Sequence, residues 1–118
     1  MTATSQIHQT SYDTDRCDIG IVHLGFGAFH RAHQAVFIDD YMQASGDLRW
    51  GIAAVNLRGS ESAVFAEHTS AGYLLQSVAP NGDSDIRRVR SHLKFVDWAK
   101  DQSAAEALLA LPSVHMVT

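Results

Sequence analysis

The stretch Ile21-Val22-His23-Leu24-Gly25-Phe26-Gly27-Ala28-Phe29-His30 constrains this chain more than any other. An apolar run ends on two glycines one residue apart, and a segment without proline or internal glycine starts at once. That pattern predicts a buried strand, a tight turn and a helix that begins in the turn. A strand that feeds a helix directly must return to its sheet by a crossover, which predicts a parallel sheet and an α/β fold. Gly25 permits the turn, and Gly27, without a Cβ, lets a ligand approach the backbone. Free N–H groups at the helix start attract an anion. This is the local context of a dinucleotide-binding fingerprint.

The pattern departs from G-x-G-x-x-G at its third glycine, where His30 stands. Two readings therefore stay open on pattern alone: a nucleotide seat, or a ligand-free strand–turn–helix with two turn glycines. The end of the second expected strand departs as well, reading Val55-Asn56-Leu57-Arg58 where an acidic residue usually meets the ribose. Asn56 can hydrogen-bond a ribose, and Arg58 can bond a 2′-phosphate or stand as a solvated charge at a helix entry. Glu61 is the nearest carboxylate. Arg31 suits a phosphate or, equally, solvent. His30 and His33 share a helix side at i, i+3, a spacing that suits a metal, but no third ligand is apparent and no metal is expected. His23 reads as a hydrogen-bonded core histidine. No catalytic triad, paired carboxylates or Walker loop can be picked out, so no catalytic residue is assigned.

Along the chain the expected order is β-α-β-α-(β-β)-α-β. Residues 1–17 are polar and expected as a mobile or loosely docked arm. Ile19–Leu24 is the first strand. One helix is expected over about Ala28–Ala44, with Ala28, Ala32, Ala35, Val36, Ile38 and Met42 on its sheet-facing side. His30, His33, Gln34, Asp40 and Tyr41 fall mostly on the other side, and Asp39 falls inside the apolar face, where it needs a partner. Trp50–Leu57 is the second strand, and Gly59-Ser60 opens a short helix to about His68. Tyr73–Val78 and Ile86–Phe95 flank the turn Pro80-Asn81-Gly82-Asp83 and read as a hairpin, with Arg87 and Arg88 toward solvent. Ser103 and Glu106 match a capping box for a helix that Pro112 stops. Val114–Thr118 reads as the start of another strand. The expected fold is an incomplete, doubly wound parallel sheet with a β-hairpin insertion, residues 18–118 forming the N-terminal part of a dinucleotide-binding domain.

The 118 residues suffice for one core. A net charge of −4 with scattered basic residues argues against nucleic acid or an anionic membrane as partner. The polar N-terminus lacks a signal-peptide core, and no apolar run approaches the roughly 20 residues of a membrane helix. Cys17 is the single cysteine, which fits a reducing compartment and a cytoplasmic location.

The string from Ile21 through His30-Arg31-Ala32-His33-Gln34-Ala35 resembles the signature of the polyol-specific long-chain dehydrogenases, which include mannitol 2-dehydrogenase and fructuronate reductase. Trp50-Gly51-Ile52 with Val55-Asn56-Leu57 is similar to that family's second strand, and the resemblance spans about Ile19–Thr118. It implies a Rossmann-like domain and a metal-independent enzyme using NAD, with NADP left open. The reaction implied is hydride transfer between nicotinamide and the CH–OH or C=O group of a polyol or hexuronate. It also implies a catalytic lysine, asparagine and histidine in a C-terminal helical domain, to which no residue here corresponds. Only cofactor-binding roles carry over: to Ile21, Val22, His23, Leu24, Gly25, Phe26, Gly27, Ala28, Phe29, His30, Arg31 and Ala32, beside Asn56 and Arg58. The competing functions are a non-catalytic nucleotide-binding module and a ligand-free interaction domain.

Overall fold

The computed structural model describes residues 6–59, 62 and 71–118. Its strands are β1 (Ile7–Gln9), β2 (Ile19–Leu24), β3 (Gly51–Asn56), β4 (Tyr73–Val78), β5 (Ser84–Val89), β6 (His92–Asp97) and β7 (Met116–Val117). Its α-helices are α1 (Ala28–Ala32), α2 (Gln34–Ser45) and α3 (Gln102–Leu109). Of the short helix expected from Gly59-Ser60 to His68, only Gly59 and Ser62 are among the described residues.

Four strands form a parallel sheet in the order β6-β3-β2-β7. The first core strand, β2, thus stands between the second and the fourth, so the winding reverses at the β2–β7 boundary. The alternation of β2 and β3 supplies a separate core on each face. Ile21 and Ile52 pack with Ala35 and Val89 on the α2 side, whereas Val22, Ala53 and Val55 pack with Ala105 and Leu108 on the α3 side. Burial on both faces explains the near-continuous apolar runs of these strands. Gly20 interrupts β2 because a Cβ there would stand 2.0 Å from the Arg49 carbonyl oxygen.

The expected helix from Ala28 to Ala44 is broken. His33, at φ −124° and ψ −79°, ends α1 and begins α2, which closes on left-handed Gly46. The expected strand Ile86–Phe95 is two strands in two sheets. β5 pairs antiparallel with β4 and parallel with β1, whereas β6 joins the main sheet. Arg90 and Ser91 make the passage: the Arg90 guanidinium donates to the Thr10 and Tyr12 carbonyls, and the Ser91 hydroxyl donates to the Ala35 carbonyl. The hairpin is accordingly β4–β5, completed by β1 into a three-stranded sheet.

From Ile7 on, the expected loose arm is a docked segment. Apart from the β1 pairing, the buried Asp39 carboxylate accepts from the Tyr12 and Thr10 hydroxyls. Arg87, expected in solvent, pairs with Asp39 at 2.6 Å and with Asp40 at 2.9 Å. Asp39 thus finds the partners that its place on an apolar face demands. At α3 the cap is Asp101, which accepts from the Ala104 N–H, in place of the expected Ser103 box.

Candidate functional site

β2 ends at the carboxyl edge of the sheet beside the winding reversal, the place where open α/β sheets form a ligand crevice. Gly25 turns the chain there with φ +124°, and its N–H donates to the Val55 carbonyl at 2.7 Å. Only glycine adopts that conformation readily. Gly27 follows as the N-cap of α1 and offers no side chain to the first-turn N–H groups. A Cβ placed on Gly27 meets no atom of the described residues within 4 Å. The turn therefore presents uncapped backbone donors to open space. Because α1 has only five residues before the break at His33, attraction of an anion to this turn would come from these donors rather than from a long helix dipole.

The side chains around the turn divide into two groups. Ile21 and Val22 are fully buried in the two cores, and Leu24, Ala28 and Phe29 are exposed. Phe26 turns inward and meets Tyr73, His92 and Phe95 edge-on, with centroids 5.6, 4.9 and 5.2 Å away. The Arg31 guanidinium lies 5.2 Å over the Phe26 ring, and its buried Nε–H has no acceptor among the described residues. The Tyr73 hydroxyl donates to the Arg31 carbonyl at 2.5 Å. Ala32, half-buried, closes α1.

His30 overturns its expected outward direction: it is buried, with its ring stacked on His23 at 3.6 Å and 5°. Its Nδ1 meets the Gln34 Oε1 at 2.9 Å, and its Nε2 meets the His92 Nε2 at 2.9 Å. His23 Nδ1 meets the Thr118 hydroxyl at 2.8 Å. Burial, reinforced by His23, pushes His30 down to about 4, and burial also lowers His23. Sequence reasoning missed His92: it stands in an apolar strand, 62 residues from His30, and no spacing rule joins the two. Among the described residues no group of three or more His, Cys, Asp and Glu is arranged to hold a metal.

Asn56 is buried at the end of β3, where its amide donates to the Arg58 carbonyl at 2.9 Å and to Asp97 at 3.3 Å. Its side-chain oxygen accepts from the Arg58 N–H at 3.4 Å. Asn56 thus shapes the loop that carries Arg58, which is exposed. Asp97, register partner of Asn56, brings a carboxylate to this edge from the third strand of the sheet. Hydrogen bonds from Ser62, Ala99 and Asn56 hold that carboxyl below its ordinary range. Glu61 lies outside the described residues. Leu24, Val55, Leu57, Trp98, Ala105 and Leu109 line an apolar cavity of 230 Å³ on the α3 side of the same edge.

No protein-family model matches the chain. It is 39% identical over 79 residues to a D-arabinitol 4-dehydrogenase of Klebsiella pneumoniae, covering 65% of this chain and 17% of that one. It is 41% identical over 76 residues to the D-mannonate oxidoreductase of Escherichia coli, covering 64% and 15%. A solved Pseudomonas fluorescens mannitol 2-dehydrogenase, a ternary complex with NAD and D-mannitol, superposes with a TM-score of 0.84 at 26% identity, covering 94% of this chain and 23% of that chain. The chain belongs to the polyol-specific long-chain dehydrogenases. It spans less than a fifth of the length of the two curated relatives.

Within the polyol-specific long-chain dehydrogenases, then, the string Gly25-Phe26-Gly27-Ala28-Phe29-His30-Arg31 folds as a turn with an inward Phe26 and an inward His30. The absent third glycine leaves the strand–turn–helix intact, because a hydrogen-bonded imidazole takes up the space between α1 and the sheet.

Proposed function

We propose that this chain forms the diphosphate and adenosine side of a nicotinamide dinucleotide site, in an enzyme that moves hydride between that cofactor and a polyol or hexuronate. The observation that carries the reading is the uncapped turn at Gly27, open where a Cβ would stand and placed at the winding reversal of the sheet. The backbone of Leu24 through Phe29 approaches the diphosphate, and Arg31 offers its guanidinium to the same charge. Ile21, Val22 and Ala32 act by packing. The apolar cavity beside Leu24 and Leu57 suits the adenine ring, and Asn56 sets the loop from which Arg58 reaches the ribose side. Bound there, the cofactor supplies or accepts the hydride. The names of the similar proteins support NAD and a polyol or hexuronate substrate. NADP stays open, since Arg58 suits a 2′-phosphate.

The catalytic lysine, asparagine and histidine that the family resemblance implies have no counterpart in these residues, so the 118-residue chain is expected to bind cofactor without turnover. No described helix is long and apolar enough to cross a membrane, and the unpaired Cys17 suits a cytoplasmic setting.

Titrating the chain with NADH by calorimetry tests the reading. Gly27→Val fills the open space over the turn and is expected to weaken NADH binding at least about a hundredfold, with the melting temperature nearly unchanged. Equal affinity in the variant would remove the diphosphate from this turn.

A further inference from the structure

We infer that His30 is a positioning residue: a neutral imidazole that ties α1 to β6 and α2, and thereby fixes where the Gly25–Gly27 backbone stands. The inference rests on the proposed role of that turn as a cofactor seat.

The hydrogen-bond pattern assigns the protons. The Gln34 Oε1 only accepts, so the His30 Nδ1 carries a hydrogen and donates to it. The His30 Nε2 is then a lone pair, and the His92 Nε2–H donates to it. The Thr118 hydroxyl donates to the same Gln34 oxygen at 3.3 Å, which leaves its own lone pair for the His23 Nδ1–H. Every donor in this chain of contacts has an acceptor, and the stack of His23 on His30 closes the chain into a ring. The ring links β2, α1, α2 and the residue that follows β7, and the His30–His92 contact ties it to β6.

With His92 in its Nε2–H form, a proton added to the His30 Nε2 would set two N–H groups against each other across 2.9 Å. The groups facing His30 are His23 from β2, His92 from β6, Gln34 from α2 and Phe26 from the turn. Tyr73 of β4 stands behind His92 and donates to the carbonyl of Arg31. The fixed cation of this set is Arg31, over Phe26. Burial works in the same direction as the geometry, since it favours the uncharged imidazole. His30 therefore does not supply positive charge to a diphosphate. It occupies the place of the fingerprint's third glycine and does that glycine's work by other means: hydrogen bonds through the gap hold helix and sheet in register.

The test uses the whole 118-residue chain, wild type, His30→Phe and His30→Gln. Imidazole ¹⁵N spectra are expected to show wild-type His30 as the neutral Nδ1–H form from about pH 8 to about pH 5, with NADH affinity flat over that range. His30→Phe is expected to shift the Gly25 and Gly27 amide resonances and to weaken NADH binding about tenfold. His30→Gln, which keeps an acceptor for His92, is expected to restore most of both, and it carries the comparison if the phenylalanine variant does not fold. The inference is overturned if His30 titrates near its ordinary value with NADH binding tightening as it charges. It is overturned equally if the glycine amides ignore both variants. Wild type showing the expected tautomer and variant shifts but no NADH binding would sink the cofactor reading and leave the positioning role standing.

Discussion

His30 also shapes how stability responds to acid. Its folded value of about 4 lies below the ordinary 6.5, so between those two pH values the unfolded chain takes up a proton that the folded chain does not. Stability from this residue is fully present above about pH 6.5 and is lost as pH falls toward 4. Urea midpoints measured across that window are expected to fall for wild type and to flatten in His30→Phe. Equal slopes in the two proteins would contradict the burial of a neutral imidazole. The turn itself was legible in the sequence, because glycine conformational freedom is a local property. The direction of His30 was not. A helical wheel assumes an unbroken helix, and the backbone at His33 rotates α1 relative to α2. Asn56 shows the same limit: its position was legible, but its tie to Asp97, 41 residues away, was not.

An ionic clamp joins α2, β5 and the docked N-terminal segment. Asp39 on α2, Arg87 on β5 and Tyr12 on the docked N-terminal segment meet in one place, with Tyr12 raised above its ordinary value by burial and by the Asp39 carboxylate. Asp39→Ala leaves Arg87 and Tyr12 without their buried acceptor and is expected to cost about 3 kcal/mol in chemical denaturation. Amide exchange in β1 and β5 is expected to quicken before that in β2 and β3. A loss below about 0.5 kcal/mol would show the clamp to be ornamental. The strand pattern foretold β2, β3 and β4 closely, since their turns carry glycine, proline or asparagine. It merged β5 with β6 because Val89-Arg90-Ser91-His92 contains no such marker. The passage between sheets is set by what Arg90 and Ser91 bond to, and those carbonyls belong to distant segments.

At the scale of the molecule, β7 stands at one border of the parallel sheet, with β2 on one side and no strand on the other among the described residues. Met116 and Val117 are 45% and 50% exposed there. An open apolar border invites pairing between copies. Sedimentation of the isolated chain is expected to show association that grows with concentration and that Val117→Lys suppresses; a strictly monomeric wild type would contradict this. The strand order carries a consequence for synthesis. Within the parallel sheet, β2 leaves the ribosome before either of its neighbours, β3 and β7, and β7 follows both β3 and β6. Ile21 and Val22 meet their register partners Met116 and Val117 only after about 95 further residues have been joined, and folding that waits for such distant partners is slow. Whatever binds emerging hydrophobic segments in the host cell meets this strand before either of its sheet partners has been made.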